Sequence, residues 1–512
     1  MMRKSGILCP ISSLASKYGI GSFSQEAYDF VDFLVESGQS YWQVLPFGPT
    51  GFGDSPYQSF STFAGNPYFI SPDLLIKDGL LSVHEVREYD FGSFVDTVDY
   101  GALYNNRFKM LQKACDRFLE NPDPEYEDFK KENAYWLDDY CLYMAIKLAN
   151  GGKPWSEWDE DLRTRYPDAL VEATAKHLDV IEFFSFQQYE FQKQWKKLHS
   201  YANEKGVEII GDIPFYTAVD SADSWANPKM FLLDEENVPT KVAGCPPDAF
   251  SADGQLWGNP IYDWKYLKKT HYEWWIRRIR RSLEFCDVLR VDHFRAFDEY
   301  YEIPYGEKTA KNGKWVKGPG MGLFREVKKE LGDIHIIAED LGYITPSVRK
   351  LVKDTGFPGM KVLQFAFDSR EESDYLPYNY DHNCVIYTGT HDNETTRGWI
   401  ENINDHDRDF ARRYINSLYT DYGAFTWDFI RAAQACTADT CIVPLTDYLV
   451  KGNEARINHP STLGTNWQWR LRPNELSHEL AKSIYEMTKL YGRLPKKKKE
   501  KEEEEKEEST KE

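Results

Sequence analysis

The sequence predicts an α/β fold, a (β/α)8 TIM barrel with large, mainly helical insertions between barrel units. Two observations carry this prediction. Eight short apolar runs, at 6–9, 41–46, 207–213, 288–294, 334–339, 361–367, 384–389 and 441–445, read as strands, and amphipathic stretches lie between them. Three of the runs then lead into an acidic residue: 289–295 reads Leu-Arg-Val-Asp-His-Phe-Arg, 336–342 reads Ile-Ile-Ala-Glu-Asp-Leu-Gly and 388–395 reads Thr-Gly-Thr-His-Asp-Asn-Glu-Thr. A barrel of this kind carries its chemistry at the C-terminal ends of its strands, so Asp292, Glu339 and Asp392 stand where catalytic groups belong.

The helices follow from the stretches between the strands. Residues 24–37, 272–285, 322–331, 345–353 and 475–491 repeat apolar positions at helical spacing. The intervals 47–205 and 215–272 are too long for simple connections and predict insertions at about 48–205 and 215–272, the first largely helical from 105 onward. Barrel and insertions form one catalytic unit over 1–494, and the Lys- and Glu-rich tail at 495–512 is expected to be disordered.

Composition narrows the function classes. With 62 basic and 82 acidic residues the chain carries −20, which excludes a phosphate-rich or nucleic-acid partner and docking on anionic membranes, and suits a neutral substrate. Eight cysteines without a CxxC pair point to reduced thiols. Pro10 and several serines interrupt what would be a signal-peptide core, and no run of about 18 apolar residues occurs, so a cytoplasmic location is expected. His391 lacks a second ligand at zinc spacing; no metal and no cofactor is expected. Residues 48–53 are glycine-rich but lack the Gly-Lys-Ser/Thr of a phosphate loop.

The residues themselves argue for glycoside cleavage. That reaction needs one carboxylic acid to protonate the leaving oxygen and one carboxylate to support an oxocarbenium-like transition state. Strand alternation puts Arg290 and Asp292 on the barrel side and turns Leu289 and Val291 toward the helices. An arginine there favours an ionised aspartate, as a nucleophile requires. Glu339 follows Ile336, Ile337 and Ala338, an apolar approach that raises a carboxyl pKa and suits a general acid. His391, next to Asp392, is placed to hydrogen-bond a sugar hydroxyl.

These three runs resemble the α-amylase clan, and the rest of the chain resembles its 4-alpha-glucanotransferase family, the amylomaltases or disproportionating enzymes. The resemblance rests on 55–58 (Ser-Pro-Tyr-Gln), 64–67 (Ala-Gly-Asn-Pro), 211–215 (Gly-Asp-Ile-Pro-Phe), 220–225 (Asp-Ser-Ala-Asp-Ser-Trp), 242–248 (Val-Ala-Gly-Cys-Pro-Pro-Asp) and 256–262 (Leu-Trp-Gly-Asn-Pro-Ile-Tyr), in that order. It implies Asp292 as nucleophile, Glu339 as acid/base and Asp392 as transition-state stabiliser, with Arg290 and His391 around the cleaved glucose. It also implies Tyr57 and Trp257 as aromatic substrate contacts, and Asp212 and Asn393 as positions near the site. The partners implied are an α-1,4-glucan donor and a glucose or maltooligosaccharide acceptor, joined by a retaining double displacement.

One departure from the family pattern stands out. In the last motif, 458–470, Ser461 and Thr465 replace glycines, so a positive φ at either would be strained. Three readings stay open from sequence: glucan transfer, glucan hydrolysis and a glucan-binding scaffold with a dead site, the last of which would have lost a carboxylate. The glycine- and proline-containing segment 243–257 is a candidate lid that would favour an acceptor over water.

Overall fold

Eight parallel strands close on themselves in the computed structural model, which describes residues 3–51, 53–247, 252–342, 344–370, 373–418 and 420–496. They are Lys4–Leu8, Tyr41–Gln43, Glu208–Ile213, Val288–Val291, Ile336–Ala338, Gly359–Val362, Cys384–Tyr387 and Thr440–Pro444. Each predicted run overlaps one of them. Several runs outlast their strand because their last residues turn out of the barrel wall, as at the 3-10 turns Phe294–Phe297 and Leu363–Ala366. At the closure, Gly6 pairs with both Tyr41 and Ile442, and a Cβ there would lie 2.4 Å from the Tyr41 Cβ, which leaves room for glycine alone.

Alternation along the strands divides the core into two. Leu8, Ile210, Ile337, Val362, Val385 and Ile442 pack together inside the barrel, while Ile7, Ile209, Leu289, Val291, Ile386 and Val443 pack outward with the helices. Leu289 and Val291 therefore face as expected, and Arg290 between them points inward.

The surrounding helices include Gln25–Glu36, Glu273–Leu283, Met321–Leu331, Pro346–Thr355 and His478–Leu490, matching the predicted stretches. Pro346–Thr355 shows how local sequence sets the bounds. The Thr345 hydroxyl accepts the Val348 N–H, proline occupies the first turn, and Gly356 ends the helix at φ 74°. In the first insertion, Tyr126–Ala149 and Leu178–Glu204 pack on each other. Buried Phe183, Phe186, Phe191 and Trp195 give the second of these helices its apolar face.

The second insertion contains strands that the sequence reading did not anticipate. Gln255–Pro260, Lys241–Cys245, Glu299–Pro304 and Lys314–Lys317 form, in that order, an antiparallel sheet outside the barrel. Two of its strands come from residues 215–272 and two from the loop after the fourth barrel strand. Gly244, Gly258 and Pro260 break the alternation, and the register shifts between Val242 and Gly244, so no period-two pattern announces them.

Near the end of the described chain, Arg493 is fully buried and donates to the carbonyls of Lys4, Gln434, Cys436, Ala438 and Asp439. Arg493→Ala strips donors from five backbone carbonyls, those of Gln434, Cys436 and Ala438 buried, and we expect it to destabilise the fold by about 3 kcal/mol. A lowered denaturation midpoint would register the loss, and an unchanged one would show that water replaces the guanidinium. No helix among the described residues is long and apolar enough to cross a membrane. The predicted tail lies outside the described residues from 497 onward.

Candidate active site

Three barrel strands deliver the three carboxylates to one place. Asp292 directly follows Val288–Val291, Glu339 directly follows Ile336–Ala338, and Asp392 sits in the turn beyond Cys384–Tyr387. All three line an open cavity of about 920 Å³ at the C-terminal mouth of the barrel. Arg290, His391, Asn393, Tyr57 and Trp257 line it too, Tyr57 coming from the first insertion and Trp257 from the outer sheet. Asp212 alone of the nine predicted residues does not. It lies beneath the cavity, 3% exposed, against Tyr57 and Arg290.

Arg290 organises the floor. Its Nη1 donates to Asp212 at 2.6 Å and its Nη2 to Asp292 at 2.8 Å, so one buried guanidinium bridges two carboxylates. Tyr57 O–H donates to the same Asp212 oxygen at 2.6 Å. Removal from water pushes Asp212 up to about 6 despite Arg290, and its Oδ1 has no hydrogen-bond partner among the described residues. Asp212 thus fixes the arginine and the tyrosine that line the cavity.

Glu339 is held differently. Its Oε2 accepts the His293 backbone N–H at 2.6 Å and its Oε1 accepts the Leu341 N–H at 2.9 Å. Burial and then the negative charge of Asp292 push it up to about 8, against the pull of Arg290 and those two N–H groups. His293 reaches Glu339 through a left-handed backbone, φ 50°, and its ring meets Trp257 edge-on at 4.9 Å. Burial lowers the His293 imidazole to about 4, so the ring is neutral beside the cavity.

Asp392 is fixed from the last motif. Asn458 Nδ2 donates to its Oδ1 at 2.6 Å, and Arg456 donates both to the Asp392 carbonyl and to the Asn458 carbonyl at 2.8 Å. His391 Nε2 lies 3.4 Å from the same carboxylate oxygen, and its ring stacks on Tyr57 at 5.0 Å. Asn393 folds the turn by accepting the Thr390 N–H and hydroxyl, each at 2.9 Å. Asn458→Ala removes a hydrogen bond to a charged group, and we expect kcat on maltotriose to fall about tenfold to a hundredfold with KM little changed. A KM effect alone would assign Asn458 to binding.

Sequence reasoning missed His293, Arg456 and Asn458. The first is adjacent to Asp292 and could have been found from that position. Nothing in the spacing joins Asn458 to a carboxylate 66 positions earlier. The strain expected in the last motif falls on Ser461, φ 66°, and not on Thr465, while Gly464 takes φ 92°. The candidate lid at 243–257 begins and ends in two paired strands of the outer sheet, Lys241–Cys245 and Gln255–Pro260. Its residues 248–251 lie outside the described residues.

Comparison with known proteins agrees over nearly the whole chain. The family model described as 4-alpha-glucanotransferase matches residues 9–477. The 4-alpha-glucanotransferase of Clostridium butyricum is 50% identical over 485 residues, covering 94% of this chain and 99% of its own length. That of Thermus thermophilus is 44% identical over 501 residues, covering 96% and 99%. Among solved structures, the amylomaltase from Streptococcus agalactiae in complex with acarbose superposes with a TM-score of 0.94 at 43% identity, covering 96% of this chain and all of that one.

Proposed function

The chain belongs to the 4-alpha-glucanotransferase family, and from that membership we propose how its site moves an α-1,4-glucan segment from a donor to the 4-hydroxyl of an acceptor glucan or glucose. The observation that carries the reading is the contrast between two neighbouring carboxyls, Asp292 ion-paired to Arg290 and Glu339 holding its proton to about 8. Separated environments of this kind divide the acid role from the nucleophile role.

In the first step an Asp292 oxygen attacks the anomeric carbon. The bond from that carbon to the leaving glucan oxygen breaks, and Glu339 gives that oxygen its proton. In the second step the acceptor 4-hydroxyl attacks the same carbon, the Asp292 ester opens, and Glu339 takes the hydroxyl proton. Both displacements invert, so the α configuration is retained. Asp392, with His391 and Arg290, holds sugar hydroxyls and offers negative charge to the oxocarbenium-like state. Tyr57 and Trp257 give ring faces for sugar C–H groups.

Transfer is favoured over hydrolysis by the walls of the cavity. Leu256, Phe365 and Leu463 line it and stay 42%, 42% and 74% exposed, apolar surface that an acceptor sugar would cover and water would not. No disulfide links the cysteines among the described residues, which fits a reducing compartment, and we assign the enzyme to the cytoplasm. Incubation of the protein with maltotriose tests the reaction. Longer maltooligosaccharides together with glucose are expected, whereas shorter sugars alone would mean hydrolysis.

A further inference from the structure

The loop that carries Asp392 leaves the seventh barrel strand, Cys384–Tyr387, at Thr388 and enters the helix Thr396–Asn402 at Thr396. Both of its ends meet one side chain. Asp447 lies in the short helix Leu445–Tyr448, directly after the eighth strand Thr440–Pro444, and is 1% exposed. Its Oδ2 accepts the Thr388 hydroxyl and the Thr396 hydroxyl, each at 2.6 Å, and its Oδ1 accepts the Thr396 backbone N–H at 2.7 Å. The seventh and eighth strands pair in parallel, so this carboxylate stands beside the root of the loop.

A carboxylate in such a place is costly unless its oxygens are occupied. Burial raises the Asp447 pKa, and what opposes the rise is the set of donors from Thr388 and Thr396, with no cation among them. An apolar side chain would fill the same space without that cost, but it could not gather the three donors. An ionised carboxylate accepts on both oxygens and donates on neither, which is what two hydroxyls and an N–H require. The loop is thereby closed into an arch with both feet on Asp447. Its crown is tied elsewhere: Gln364 Nε2 donates to the Glu394 carbonyl at 2.9 Å, and Arg456 and Asn458 hold Asp392.

We propose that Asp447 is a positioning residue for glucan transfer, acting through Thr388 and Thr396 to hold Asp392 and His391 at the barrel mouth, and this rests on the role given above to Asp392. Asp447 itself does not line the catalytic cavity. Negative charge serves an oxocarbenium-like state only from a fixed place, and the feet of the arch decide where Asp392 stands.

The two threonines allow a test that spares the buried carboxylate. Thr388→Val and Thr396→Val each delete one donor and keep a branched side chain. Assayed well below their denaturation midpoints, both should lower kcat on maltotriose about tenfold with KM within about twofold. Thr388→Ser and Thr396→Ser keep the hydroxyl and should stay within about twofold of the wild type. The valine variants should lose as much on α-glucosyl fluoride, because Asp392 serves the reacting carbon whatever the leaving group. In the Asp392→Ala protein, adding Thr388→Val should change the residual rate on the fluoride by less than about twofold, since the group it positions is gone. Valine variants with the wild-type kcat, a loss confined to maltotriose, or a further tenfold loss in the Asp392→Ala background overturns the proposal. Wild-type transfer by Asp392→Ala alone would instead remove the role given to Asp392.

Discussion

Asp292→Asn should reduce glucan transfer by about 10⁴-fold or more while leaving the fold in place. The amide keeps the size of the carboxylate but cannot form the glycosyl ester through which donor and acceptor half-reactions are joined. Arg290 does not lose its anchor, because its Nη1 still donates to Asp212 at 2.6 Å. The Asp292 side chain is 28% exposed, so the substitution buries no new unpaired group. Circular dichroism and the denaturation midpoint should match those of the wild type, while the production of glucose from maltotriose disappears. Retention of more than a few per cent of the wild-type rate would transfer the nucleophile role to another group.

Glu339→Gln has the second largest expected effect, a fall of about 10³-fold in kcat on maltotriose. Its signature is selective rescue. A donor such as α-glucosyl fluoride, whose leaving group needs no proton, should form the glycosyl-enzyme in the variant at close to the wild-type rate, and a variant equally slow on both donors would exclude the acid role. The pH profile supplies an independent check. With Glu339 held up to about 8, the wild-type rate on maltotriose should decline on the alkaline side near that pH, a limb absent from the fluoride reaction.

The stability of the glutamine variant should move in the opposite sense to its activity. Between the ordinary value of 4.5 and about 8 the folded protein binds a proton at Glu339 that the unfolded chain has released. The contribution of this group therefore diminishes as pH rises through that window, and below 4.5 no difference remains. A glutamine never ionises, so the variant should denature at a higher temperature than the wild type at pH 7 to 8. Catalytic competence and fold stability compete at this one side chain.

The barrel was legible because buried parallel strands give continuous apolar runs that survive even when their helices are separated by long insertions. The carboxylates were legible because each ends such a run. The outer sheet was not: its strands are short, bent by Gly244 and Gly258, and its central pairing joins segments about 60 positions apart, such as Lys241 with Pro304. Asp212 was placed near the site but not beneath it, since strand periodicity gives the face of a residue and not its depth. His293 acts through a backbone N–H, for which its place next to Asp292 was the one signal, and Asn458 acts through a contact made only when the last loop folds back, which leaves no mark in residue type or spacing.

The hydrogen bond from the His293 amide to Glu339 joins the proposed acid to the residue next to the proposed nucleophile. The gap across which the glycosidic bond is cut is therefore gauged by one peptide link and one amide proton, not by the hundreds of residues that surround it. A gauge so short is insulated. The helical insertion and the outer sheet are free to drift in length and sequence, and to change which glucans arrive and which leave, without altering the ruler by which the bond is broken.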